Sequence, residues 1–227
     1  QIKRFFLEDG EVKYTTDKFK EGVTETTARI QGVELANNLV LLDTPGLHSV
    51  TDENGDLTKV FTDSADAILW LTPSTSPGQV QELNDLKTEL EQRKPLLPVI
   101  TRSDFLEDDI DENDCIVQTL KSKSQTNREE QETDVRKRAT TALDKEIEIK
   151  VPISISVHSY KQSNGDQENL DTSGLTRLYS DLGKILNEAK VYKVEKATQQ
   201  VINYFDRDIL SSLTNVVQPQ ISQLIQS

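Results

Sequence analysis

Two short stretches of this sequence carry the residue types and positions that chemistry at a sheet edge requires. The first is Asp43-Thr44-Pro45-Gly46-Leu47, which directly follows the apolar run Leu39 to Leu42. An Asp at the carboxyl end of a buried strand stands at the crevice where open α/β sheets bind ligands, and it can hold magnesium through water there. Gly46 has no Cβ, so its backbone N–H can approach a terminal phosphate. The tetrapeptide alone also reads as a strand-ending turn, since Asp, Pro and Gly all favour turns. The second stretch, Thr101-Arg102-Ser103-Asp104, follows another apolar run, Leu96 to Ile100. Taken singly it reads equally as a polar strand end.

The elements that must position these residues are legible from periodicity. Ala28 to Leu35 and Leu39 to Leu42 are β-prone runs separated by Ala36, Asn37 and Asn38, a hairpin signal. Ala67 to Leu71 and Leu96 to Ile100 are short continuous apolar runs, as expected of strands buried on both faces of a parallel sheet. Between them Pro77 and Gly78 open a helix with Val80, Leu83, Leu86 and Leu90 on one face, and Pro95 ends it. Residues 107 to 114 hold six carboxylates and read as a solvated loop, while 121 to 146 read as a polar helix or a mobile insertion. Ile147 to Ile155 is expected to form another strand, followed by a helix with Leu175, Leu178, Leu182 and Leu186 along one face. Alternating strands and helices imply right-handed crossovers and an α/β fold with a mostly parallel sheet. From Lys190 a long amphipathic helix continues with a composition richer in Gln and Ser, so the expected domains are 1–189 and 190–227, the latter the start of a helical stalk or bundle.

With both stretches and their strands in view, the chain resembles a P-loop GTPase of the translation-factor-related class. Asp43-Thr44-Pro45-Gly46 resembles its Asp-x-x-Gly switch II motif, and Thr101-Arg102-Ser103-Asp104 its base-recognition motif. The resemblance makes Asp104 the guanine reader, accepting hydrogen bonds from N1–H and the exocyclic amine, a donor pair adenine lacks. It places Thr101 and Arg102 beside the base, where the Arg102 stem and guanidinium would lie over the ring plane. Ser156-Val157-His158 matches a segment whose backbone contacts the guanine oxygen. Thr24-Glu25-Thr26-Thr27 stands where switch I carries its magnesium-binding threonine, with Thr27 favoured and Thr26 close behind. Asp43 and Thr27 would thus serve Mg2+, Thr27 and Gly46 the terminal phosphate, and GTP or GDP would be the ligand. Thr101, Leu47 in place of a water-orienting glutamine, and the long helix after the last domain helix resemble the dynamin-like group, bacterial members of the Leo type included. That group implies GTP hydrolysis, nucleotide-dependent pairing of G domains as a homodimer or with a partner GTPase, and membrane remodelling. An Era-like, RNA-associated GTPase and a noncatalytic G-domain scaffold are the alternatives.

One element of the template is missing. No Gly-x-x-x-x-Gly-Lys-Ser/Thr loop occurs in the sequence, and its place in the template is upstream of Gln1. The chain contains no Met and begins at Gln1, which supports the expectation that it is part of a longer polypeptide and is inactive alone. Its 39 acidic against 26 basic residues, with net charge -13 and pI near 4.7, argue against nucleic acid as a partner, because backbone binding needs clustered Lys and Arg. The extension from Lys190 has no basic stripe either, which counts against the RNA-associated alternative. No apolar run approaches the roughly 18 residues of a spanning helix. A single cysteine, Cys115, fits a reducing cytoplasm, with peripheral membrane association implied by the resemblance. His48 and His158 have no Ser or Cys at a spacing that suggests nucleophilic catalysis; His48 reads as a switch II surface residue and His158 as a loop residue.

Overall fold

The computed structural model describes residues 2–8, 10–19, 30–35, 39–44, 60–75, 83–84, 87–91, 93–110, 112, 114–143, 147, 149–162 and 166–226. The chain divides into two compact units: residues 1–65 with 80–89, and residues 66–79 with 90–227.

The first unit is built on a four-stranded antiparallel sheet of order β2-β1-β3-β4, from β1 (Lys3–Glu8), β2 (Glu11–Thr15), β3 (Gln31–Leu35) and β4 (Leu39–Asp43). The hairpin expected around residues 36–38 is present, with Gln31 opposite Asp43 and Leu35 opposite Leu39. The β1–β2 pair is an addition that periodicity did not reveal, since Lys and Glu interrupt its apolar positions. Phe5 is buried at its centre, and Gly32 leaves room for that ring: a Cβ there would lie 2.6 Å from Phe5 Cζ. Strand β4 is not buried as expected, because Val40, Leu41 and Leu42 are all exposed.

The second unit holds a parallel sheet of order β5-β6-β9, from β5 (Ile68–Pro73), β6 (Leu96–Thr101) and β9 (Ile153–Ser154). The α/β expectation is therefore met in part: the parallel strands form this sheet, and the antiparallel strands form separate ones. Central β6 is buried from Leu96 through Ile100, as its unbroken apolar run requires. Edge strand β5 alternates instead, with Trp70 and Thr72 buried but Leu69 and Leu71 exposed, so only one of its faces is covered. The expected strand from Ile147 shrinks to two residues, because only Val99 and Ile100 of β6 pair with it.

The acidic stretch is strand as far as Ile110, while Glu112 and Asp114 lie in the connection that follows, as the expected loop. Asp104–Ile110 (β7) and Ile116–Ser122 (β8) form a two-stranded antiparallel hairpin, with Glu107, Asp108 and Asp109 inside the ladder. Cross-strand Lys121 pairs with Glu107 and lies 3.8 Å from Asp109, and the Glu107 hydrogen bond raises the lysine pKa above its ordinary value. Alternation with Leu106, Ile110, Ile116 and Leu120 on one face lets so acidic a segment adopt β structure.

Among the helices, α1 is the short Lys87–Glu91, and α2 (Gln125–Ala142) is the polar helix expected there; it is packed, with Val135 and Ala139 buried. Ser124 caps α2 by accepting from the Asn127 N–H at 3.2 Å. Helices α3 (Val157–Gln162), α4 (Gln167–Thr172) and α5 (Leu175–Tyr204) follow. The core of this unit joins Leu97 and Val99 of β6, Ile153 and Ile155, and Leu175 and Ile185 of α5. Each such side chain contributes about 1.5–3 kcal/mol on burial.

Helix α5 runs without a break through Ala189 and continues as π turns over Phe205–Leu210 and Leu213–Val217 into α6 (Gln218–Gln226). The sequence explains the widening. Val201, Phe205, Ile209, Leu213, Val217, Ile221 and Ile225 recur every fourth residue. In an α-helix that spacing drifts about 40° per step, and interposed π turns, which hold more residues, bring the stripe back toward one face. Among the described residues none beyond Tyr192 is buried.

Gly174, with φ of 82°, begins α5 against the backbone of Ser154, and a Cβ there would lie 2.2 Å from the Ser154 carbonyl oxygen. Gly174→Ala is expected to destabilise the chain by about 3 kcal/mol, from left-handed strain plus the clash. Gly183→Ala, inside α5 with open space around it, is expected to stabilise by about 0.5–1 kcal/mol. Urea unfolding midpoints check both; equal shifts would contradict this packing.

Candidate functional site

The residues expected to read a base gather in the second unit, at the carboxyl ends of β5, β6 and β9. Strand β6 ends at Thr101 and the chain turns through Arg102, whose φ of 55° lies in the left-handed region. Backbone groups on every side hold the turn. Ser74 N–H donates to Thr101 O at 2.8 Å, Ser103 N–H to Ile155 O at 3.0 Å, and Lys123 N–H to Ser103 O at 3.0 Å. The Ser74 hydroxyl donates to the Arg102 carbonyl and itself accepts from Lys123 Nζ at 3.1 Å. The Arg102 side chain is left exposed, while Ser103 is fully buried.

Asp104 is half-buried at the root of the hairpin, and its Oδ2 accepts from the Ser156 hydroxyl at 2.7 Å. Ser156 is itself buried. Its Oγ also accepts the Ser159 N–H at 3.2 Å, closing the first turn of α3, and its own N–H is bonded to Ser173 O at 2.9 Å. Val157 and His158 are exposed in that first turn, where helix geometry supplies no intrahelical acceptor for their N–H groups. Thus the structure brings together Thr101, Arg102, Asp104, Ser156, Val157 and His158. Ser74, Lys123, Ser122 and Ser159 join them without having been singled out from the sequence.

Beneath this cluster lies a part-buried network of charged side chains. Arg128 of α2 donates to Thr172 O at 2.6 Å, and Glu132 accepts both the Ser154 N–H at 2.8 Å and Arg177 at 2.7 Å. Burial pushes the Arg128 guanidinium down from its ordinary value, against the opposing charges of Glu132 and Asp104. Its Nε and one terminal nitrogen are buried without a hydrogen-bond partner.

In the first unit Asp43 ends β4, and its Oδ2 accepts from Gln31 Nε2 at 2.7 Å across the hairpin. Thr26, Thr27, Gly46, Leu47 and His48 lie outside the described residues. Among the described residues no three or more His, Cys, Asp or Glu side chains converge as a metal site. The donors fit magnesium only as magnesium is held beside nucleotides, by one or two carboxylates with phosphate oxygens and water completing the shell.

Comparison with known proteins places the chain beside one family and one relative. The family model described as Dynamin family matches residues 15–104, a span that begins at the end of β2 and finishes on Asp104. The match covers 90 of the 227 residues, and over that span the chain is similar to the family. An uncharacterised protein of Acinetobacter baylyi is 40% identical over 228 residues, covering 98% of this chain and 44% of that relative. The chain thus spans under half the length of the curated relative it matches. No solved structure matches.

The strained Arg102 allows a direct check on the turn. Arg102→Gly is expected to leave stability within about 0.5 kcal/mol, since relief of the left-handed backbone offsets the added freedom of the unfolded chain. Arg102→Val should lose about 1–2 kcal/mol, because a β-branched residue resists that conformation. Urea unfolding distinguishes the pair, and a Val variant as stable as the Gly variant would contradict the turn.

Proposed function

We propose that this chain is the nucleotide-reading part of a dynamin-like GTPase whose complete polypeptide binds and hydrolyses GTP. The observation that carries the reading is the Asp104 carboxylate, held at the carboxyl end of the parallel sheet by Ser156 in a cluster built from three strand ends. One oxygen is fixed by Ser156 and the group keeps acceptor capacity for two donors on a base edge. Guanine offers N1–H and the exocyclic amine side by side; adenine would leave the carboxylate facing an acceptor, a mismatch that discriminates strongly. Val157 and His158 present first-turn N–H groups suited to a carbonyl oxygen such as guanine O6.

Asp43, with Thr27 and Gly46, would serve the phosphate end. Magnesium, when bound there with the phosphates, would supply charge neutralisation and orientation. Asp43 would hold one of its waters, with Gln31 fixing the carboxylate from across the β3–β4 hairpin. Leu47 cannot orient water by hydrogen bonding, so hydrolysis would draw on a backbone carbonyl, a monovalent cation or a second G domain. A phosphate-binding loop supplied upstream of Gln1, residues 190–227 as the start of a helical domain, nucleotide-dependent dimerisation, cytoplasmic localisation with peripheral membrane work, and kinship with the bacterial Leo type belong to the same proposal. The exposed apolar stripe from Val201 to Ile225 favours the helical-domain element, because such a stripe requires cover.

In the full-length protein, Asp104→Asn is expected to weaken guanine nucleotide binding at least about 10-fold and to favour xanthine nucleotide, whose 2-oxo group suits the new amide donor. Competition binding with guanosine and xanthosine diphosphates reads this, and unchanged base preference would remove the assignment. Asp43→Ala is expected to lower magnesium-dependent phosphate release at least about 10-fold with little change in unfolding midpoint. Retained turnover would displace the switch II placement.

A further inference from the structure

Three hydroxyls stand in line behind the base-reading carboxylate. Ser122 Oγ lies 2.7 Å from Ser159 Oγ, Ser159 Oγ lies 2.8 Å from Ser156 Oγ, and Ser156 Oγ lies 2.7 Å from Asp104 Oδ2. Each serine has one hydroxyl hydrogen. The carboxylate only accepts, so it takes the Ser156 hydrogen; the Ser159 hydrogen must then go to Ser156, and the Ser122 hydrogen to Ser159. The whole row therefore points one way, toward Asp104. Ser122 is also the residue opposite Asp104 in the β7–β8 ladder, so the row of hydroxyls starts on β8 and ends at the facing position of β7.

We propose that Ser122 and Ser159 are positioning residues for Asp104, and that through them the root of the β7–β8 hairpin takes part in discriminating the nucleobase. The inference rests on the reading of Asp104 as the guanine contact. The terminal torsion of an aspartate is broad, so the plane of its carboxylate is soft unless something holds it. Two parallel donors on a base edge need that plane fixed, whereas a single donor tolerates rotation. Ser156 supplies the hold, and its proton direction is set by what fills its acceptor side: the Ser159 hydroxyl and the Ser159 N–H. Hydroxyls in series polarise one another, so the last bond onto the carboxylate is stronger when the first two are present. Ser159 belongs to α3, Ser156 immediately precedes it and Ser122 belongs to β8, so hairpin, helix and base reader are tied at one point.

The test compares guanosine with inosine diphosphate in the full-length protein, since hypoxanthine keeps N1–H and lacks the exocyclic amine. Ser159→Ala is expected to reduce the preference for guanosine over inosine diphosphate about 5-fold, and Ser122→Ala about 2-fold. Ser159→Thr, which keeps the hydroxyl, should restore the preference. A purely structural role would shift the unfolding midpoint or weaken both ligands equally, leaving their ratio unchanged, and would overturn the inference. Should Ser159→Ala not fold, Ser122→Ala on the half-exposed hairpin root decides by the same ratio. If Asp104→Asn changes base preference while both serine variants leave the ratio intact, this inference alone falls. If Asp104→Asn also leaves it intact, the guanine-reading assignment falls with it.

Discussion

A parallel strand buried from Leu96 to Ile100 has to hand its backbone over to other partners where it ends, and that constraint organises the whole site. At Thr101 the ladder runs out, and the next two residues are satisfied from three directions by Ser74, Ile155 and Lys123. The turn so held forces Arg102 into the left-handed region and delivers Asp104 to the start of the next strand. The position of the carboxylate is thus set chiefly by main-chain bonds, and side chains refine it.

The ionic network below this turn answers a second demand. Helix α2 is polar along most of its length, and its apolar contact is limited to positions such as Val135 and Ala139. Its placement depends on Glu132, which satisfies the Ser154 N–H on the sheet and Arg177 at the start of α5. Buried ion pairs add little net stability against apolar packing, yet losing one partner is costly. The network therefore sets where α2 lies more than how firmly the unit holds. Arg128 carries the cost most visibly, with buried nitrogens unpaired and its basicity lowered by burial.

How much of this was legible beforehand depends on how local each signal is. The apolar run of β6 and the β3–β4 hairpin appear where periodicity puts them, whereas on α5 Leu175, Leu178 and Leu182 meet the core but Ile185, not Leu186, completes the face. Six carboxylates suggest a solvated loop, and three of them, Glu107, Asp108 and Asp109, lie in a strand instead. Its cross-strand apolar face and Lys121 become apparent only once β7 is paired with β8. Exposure of Leu69 and Leu71 was likewise invisible, since an apolar run does not say which of its faces is covered. Within the candidate site, Thr101, Arg102 and Asp104 fall within four consecutive residues, and Ser156 follows a short strand. Ser122 and Ser74 are far from Asp104 in sequence, and only the fold brings them near. The fourfold apolar spacing from Val201 was present in the sequence, but a search at helical period passes over it; the π turns show what it does.

Whether the carboxylate at the end of β6 faces a guanine is the claim from which the functional account follows. Equilibrium binding of guanosine and adenosine diphosphates to the full-length, unmodified protein addresses it most directly. The account predicts that guanosine diphosphate binds at least about 100-fold more tightly, because adenine leaves the carboxylate without its donor pair. Equal affinity for the two, or a preference for adenosine, would contradict it.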